Sequence, residues 1–107
     1  MALISLEEAK TYLRVDSSDE DALIYSLILS AGALAKDVGR VSDETWESIN
    51  ADPTENDGTE VTSLRAIFRV AVLYALGYLY EHREEADHHE LTLTLRSLLF
   101  SVREGVL

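Results

Sequence analysis

His82, Glu85 and His89 recur at i, i+3 and i+7, with His88 beside them. On an unbroken helix that spacing would put imidazoles and a carboxylate on one face, the kind of arrangement that holds a metal in helical bundles. The plainer reading is stronger. These residues fall where a long apolar stretch gives way to polar sequence, and histidine tolerates solvent there. A metal site also needs a fixed ligand number and outer hydrogen-bond partners. The acids that begin at Asp16 are spaced like a calcium loop, but its sixth position is Asp21 rather than glycine. Its twelfth is Leu27 rather than a bidentate acid.

Asp16-Ser17-Ser18 before a helix invites comparison with the serine that carries the phosphopantetheine arm of an acyl carrier. That motif wants Asp-Ser-Leu, whereas Ser18 and Asp19 follow here. Helix capping accounts for these serines. No glycine-rich phosphate loop, nucleophile elbow or carboxylate pair set in an apolar run stands out. The absence of cysteine removes thiolate ligands, thiol nucleophiles and disulfides. The expectation is therefore a chain with no catalytic residues, no cofactor and no metal ligands.

The elements that carry these residues read as helices. Ser5-Leu6-Glu7-Glu8 has the spacing of a capping box, opening a first helix over 5–13. A second helix is expected over 18–38, with Ser18 as N-cap and apolar residues from Leu23 to Val38 at three- and four-residue spacing. Gly39 stands where a left-handed C-cap is expected. From 41 to 61 the pattern dissolves into turn chemistry around Asp52-Pro53 and Asn56-Asp57-Gly58, so a long irregular loop is expected there. Within it Ser42 to Trp46 has room for one helical turn. A third helix, capped by Thr62 or Ser63, spans 63–85 and is apolar nearly all round, which one small domain can scarcely bury alone. Leu91 to Leu95 alternates like a strand. Leu95, Leu98, Leu99 and Val102 repeat like a helix, and a helix over 92–103 ended by Gly105 is expected because a lone strand lacks a partner. The fold class is all-α: a single domain over 1–107, a small bundle of about four helices with a long loop between the second and third.

With 107 residues, 47% of them apolar, the chain can enclose one modest core. No basic n-region precedes an apolar run at the start, and the apolar run 70–80 is too short to span a bilayer. Twenty acidic against nine basic residues give a net charge of −11, a field that repels phosphate backbones and anionic lipid. Nucleic-acid binding through a basic patch is not expected.

Two phrases resemble one family. Leu6-Glu7-Glu8-Ala9-Lys10-Thr11-Tyr12-Leu13-Arg14-Val15-Asp16, then Asp19 and Asp21-Ala22-Leu23-Ile24, is similar to the opening of the short tailed-phage head–tail connector (adaptor) proteins, also described as DNA-packaging or head-completion proteins. Leu79-Tyr80-Glu81-His82-Arg83-Glu84 resembles the end of their long apolar helix, and Leu98-Leu99 with Arg103 their closing element. The resemblance leaves out 41–61. The prolines often found before the last two helices are absent, with Ser63-Leu64-Arg65 and Leu93-Thr94-Leu95 in their places.

The resemblance implies a subunit that forms a homo-oligomeric ring beneath the portal protein. The ring would join the capsid to the tail or a second adaptor, with DNA passing through unbound and no membrane involved. It implies residence in the virion, after the host cytoplasm. Leu13, Arg14, Asp16, Asp21, Tyr80, Glu81 and Arg83 are the signature or interface candidates. Tyr80 and Arg83 are expected to fix the contact region, since each can pack a flat group and donate a hydrogen bond; the alternatives are intramolecular packing for Tyr80 and a surface ion pair for Arg83. The loop at 41–61 is a candidate for docking or for ordering on assembly. The rival from another class is a stand-alone acidic helical interaction protein, such as a DNA-charge mimic or regulatory subunit. It would be monomeric or dimeric and bind a basic partner.

Overall fold

A computed structural model describes residues 3–84 and 88–102. They form five α-helices, α1 (Leu6–Leu13), α2 (Asp21–Gly39), α3 (Asp43–Asn50), α4 (Thr59–Glu81) and α5 (His89–Leu99), followed by a 3-10 turn, Phe100–Val102, with no strand among the described residues. The all-α expectation holds. The four-helix count and the long loop do not.

The capping box is formed. The Ser5 hydroxyl accepts from the Glu8 amide at 3.1 Å and the Glu8 carboxylate from the Ser5 amide at 3.3 Å. The helix ends on Arg14 at φ 60°, where the Arg14 N–H reaches Thr11 O at 3.2 Å and the Val15 N–H reaches Lys10 O at 2.9 Å. This left-handed cap usually falls to glycine. Helix α2 begins at Asp21, later than expected, because the Ser18 carbonyl closes a turn with the Asp21 amide at 3.2 Å and leaves Glu20 as N-cap. Gly39 is the last residue of α2, and Arg40 at φ 54° takes the left-handed position.

The segment 41–61 is corrected most. Ser42 caps α3 by accepting from the Thr45 amide at 3.1 Å. Ile49 is fully buried, and Trp46 meets Phe68 edge-on at a centroid distance of 5.7 Å. Two apolar side chains three residues apart thus hold a helix too short for its periodicity to show. Only the stretch between α3 and α4 stays irregular. Helix α4 starts at Thr59, earlier than 63, and α5 at His89, earlier than 92, for one shared reason. Thr62 and Thr92 are not caps: their hydroxyls donate back to the carbonyls of Gly58 (3.0 Å) and His88 (3.2 Å) from inside the first turn. Helix α4 ends at Glu81 rather than 85, and α5 at Leu99; Glu85, Arg103 and Gly105 lie outside the described residues.

Helices α2 and α4 lie against each other at the centre, α1 and α5 each pack on both, and α3 packs on α4. Ile24, Ile28, Ala31 and Ala35 of α2 face Phe68, Val72, Ala75 and Leu76 of α4 in the core, closed by Leu91, Leu95 and Leu99 of α5. Both central helices are long and apolar enough to cross a membrane by length and composition, with mean hydropathy 1.4 and 1.3. Core helices of a packed bundle pass the same test, and these two supply most of the core. The molecule is a slab of 39 × 33 × 18 Å. One helix layer on another leaves Tyr12, Tyr25, Leu29, Val70, Tyr74, Leu93, Leu98 and Phe100 exposed.

Candidate assembly interface

The C-terminal ends of α1 and α4 come together around a groove of about 630 Å³, lined by Tyr12, Leu13 and Arg14 on one side and by Tyr74, Gly77, Tyr78, Tyr80, Glu81 and His82 on the other. Two features bring α1 onto α4. Gly77 has no side chain, and a Cβ there would lie 3.1 Å from Tyr12 Cε2, so the tyrosine ring rests on the α4 backbone. Arg69 of α4 donates to the Leu3 carbonyl at 2.8 Å and pairs through both terminal nitrogens with Glu8. That guanidinium, helped by the capping hydrogen bonds of Ser5, holds the Glu8 carboxyl below its ordinary value against the opposing effect of burial.

The far rim is built around Tyr80. Its hydroxyl donates to Glu20 Oε1 at 2.5 Å, and the carboxylate pushes the phenol above its usual value. The Arg83 guanidinium lies 4.8 Å from the ring centroid, bonds the Tyr80 carbonyl and approaches Glu20 Oε2 at 3.9 Å. Tyr78 stacks on His82 at 4.1 Å, and His82 Nδ1 is 2.9 Å from the Tyr78 carbonyl. Four of the five tyrosines line the groove. Such rings present a large apolar face with a polar tip, which suits a surface that is wet before assembly and buried after it.

Of the sequence-derived candidates, Leu13, Arg14, Tyr80 and Glu81 meet in this groove. Arg83 packs on Tyr80 at its rim. Asp21 lies next to Glu20 and pairs with Lys10 at 2.8 Å, tying α2 to α1. Asp16 is exposed in the turn after α1 and is not part of the lining. Of the histidine cluster, His82 and His88 both lie against the Tyr78 ring, Glu85 lies outside the described residues, and among those described no three His, Cys, Asp or Glu are grouped to hold a metal.

Sequence reasoning missed Arg65. It is the one buried charged residue among those described, donating to Ile49 O (3.2 Å), Ser48 O (3.0 Å) and Asp57 Oδ2 (3.0 Å). The signal was present: Arg65 stands in the same stripe as Phe68, Val72, Leu76 and Leu79, where a charge needs a reason. It caps the C-terminal carbonyls of α3, where a cation suits the helix dipole. It also fastens the irregular segment through Asp57, whose carboxyl is held down first by the Thr54 amide and then by Arg65.

The groove offers aromatic faces with the charges of Arg14 and Glu81 beside them. A family model for phage gp6-like head-tail connector proteins matches residues 3–106. No curated protein and no solved structure matches the chain significantly. The family is one of structural phage proteins rather than enzymes. With nearly its whole length matched, the chain belongs to the phage gp6-like head-tail connector family.

Proposed function

We propose that this protein is a structural subunit of the head–tail junction of a tailed phage. It assembles into a ring below the portal protein, joining the capsid to the tail or a second adaptor and letting DNA pass. The observation that carries the reading is the family match over 3–106. The exposed tyrosine groove supports the assembly step, since the thin helical slab leaves apolar surface uncovered among the described residues, as a neighbour's contact face would be. A net charge of −11 suits a channel past which DNA slides without adhering. The protein resides in the virion at the junction, after a period in the host cytoplasm.

Light scattering and negative-stain imaging of the protein, alone and with the portal protein of the same phage, test this. Rings, either free or on the portal, are expected. A monomer or dimer that ignores the portal and captures a basic protein instead would favour a stand-alone interaction protein. Replacing channel-facing acids with lysine should impede DNA passage, and undiminished infectivity of such variants would remove the charge part of the proposal.

A further inference from the structure

A closed ring requires two different faces on each subunit that fit one another. The tyrosine groove is one candidate face. An exposed stripe on α5 and the turn after it is another: Glu90, Leu93 and Arg96, continued by Phe100, lie on the side opposite the buried Leu91, Leu95 and Leu99, and all four are exposed. Leu93 is 47% and Phe100 59% exposed, large apolar side chains on a face that no other described residue covers.

Charge and apolar lining together narrow which surface this stripe fits, since Arg40 and Asp37 beside Ala33 and Val41 also form no ion pair among the described residues but offer no aromatic ring. Lys10, Lys36, Arg65, Arg69 and Arg83 are all engaged in ion pairs within the chain. Arg14 and Glu81 of the groove make none among the described residues, and neither do Glu90 and Arg96 of the stripe. Each face therefore presents one spare cation and one spare anion beside apolar rings or chains. On α5 the two charges stand about 9 Å apart along the axis, with Leu93 between them. The smaller apolar cleft between α2 and α3, lined by Leu29, Gly32 and Trp46, offers no such match, since its Lys36 is already paired with Asp43.

We infer that the groove of one subunit receives the α5 stripe of the next copy, with Glu81 facing the neighbour's Arg96, Arg14 facing its Glu90, and Leu93 and Phe100 seated among the tyrosines. The inference rests on the ring reading and names its contact. Helices α1 and α5 both pack on the α2–α4 pair without an extended contact with each other, so groove and stripe are separate surfaces, as a head-to-tail contact requires. A stable interface takes about 800 Å² from each partner. Two such faces use about a quarter of the 6875 Å² surface, which a flat subunit can provide.

The chain has no cysteine, so introduced thiols are the only ones present. Tyr74→Cys and Leu93→Cys variants, separately and in equal mixture, are treated with a short bismaleimide and imaged. Cross-linked dimers in the mixture, and in neither variant alone, are the expected result. Cross-linking of either variant with itself would overturn the inference, because the contact would then be two-fold. Rings without cross-linking in the mixture would overturn the face assignment and leave the ring reading standing. No rings, alone or with the portal, would end both. Charge reversal gives a second readout that controls for misfolding. Glu81→Arg or Arg96→Glu alone should weaken association by about tenfold or more. The two together in one chain should restore it, and failure of the double variant to recover would count against the pairing.

Discussion

Arg65 joins three parts of the chain with one planar group, and its geometry sets what each substitution should do. Ser48 O, Ile49 O and Asp57 Oδ2 take hydrogen bonds from three different guanidinium nitrogens. A lysine ammonium cannot reproduce that fork. Arg65→Ala is expected to lower unfolding stability by about 3 kcal/mol, because it also removes the buried donor of two helix-end carbonyls and leaves Asp57 with Thr54 alone. Arg65→Lys should recover less than half of that. Urea unfolding measures both, and an Arg65→Lys variant as stable as the wild type would show that charge alone matters. Glu8 gives a prediction in pH. Arg69 lowers its carboxyl below 4.5, so the folded state holds fewer protons than the unfolded one. The stabilisation is therefore fully present above 4.5 and is lost as pH falls through the lowered native value. The pair is half exposed, so Glu8→Gln should lower stability by about 0.5–1 kcal/mol near pH 7. The difference from wild type should close as pH falls through that lowered native value. A difference that persists in acid would assign it to packing instead. At this scale the sequence shows residue types but not their partners. Tyr80 and Arg83 are legible as flat donors, whereas Glu20, which receives both, reads only as one more acid in a turn.

At the scale of the element, periodicity reveals α2 and the core of α4 because each is long enough for its apolar stripe to repeat. Helix α3 escapes that test. In Asp43–Asn50 only Trp46 and Ile49 are large and apolar, and the contacts that fix them, Phe68 and Arg65, come from another helix. Thr62 misleads for a local reason, since a hydroxyl that caps a helix and one that bonds back to the preceding turn look alike in sequence. Gly39 is legible as glycine in the right place for the wrong cause. It sits not in a left-handed turn but under the Phe68 ring, where a Cβ would lie 2.7 Å from Cζ and 3.0 Å from Cε1. Alanine there should gain about 0.5–1 kcal/mol of helix propensity and backbone entropy. Forcing aside a fully buried ring in the core should cost about 1–3 kcal/mol. Gly39→Ala is thus expected to be destabilising, and Phe68→Leu in the same chain to relieve part of the loss. A double-mutant cycle measures this, and strict additivity would mean the methyl finds room without moving Phe68.

For the whole molecule, thinness and charge pull in opposite directions. A slab 18 Å deep has little interior, so aromatic and aliphatic side chains remain on both helix layers and favour association. The net charge of −11 on every copy opposes it, and most of the acids among the described residues form no ion pair that would neutralise them. The two effects act over different distances. Apolar contact operates at van der Waals range, whereas repulsion between like-charged subunits extends over about 30 Å at 0.01 M ionic strength and about 8 Å at 0.15 M. Salt should therefore remove the long-range penalty first, while contacts at the interface, where local charges oppose one another and water is excluded, are screened less. Self-association is expected to strengthen several-fold between these two ionic strengths and to change little beyond them. Sedimentation across a salt series reads this directly. Association that weakens steadily with salt would mean that attraction between unlike surface charges, rather than covered apolar surface, holds the subunits together. A salt response is also the property that separates assembly from charge mimicry, since an acidic protein that captures a basic partner must release it as screening rises.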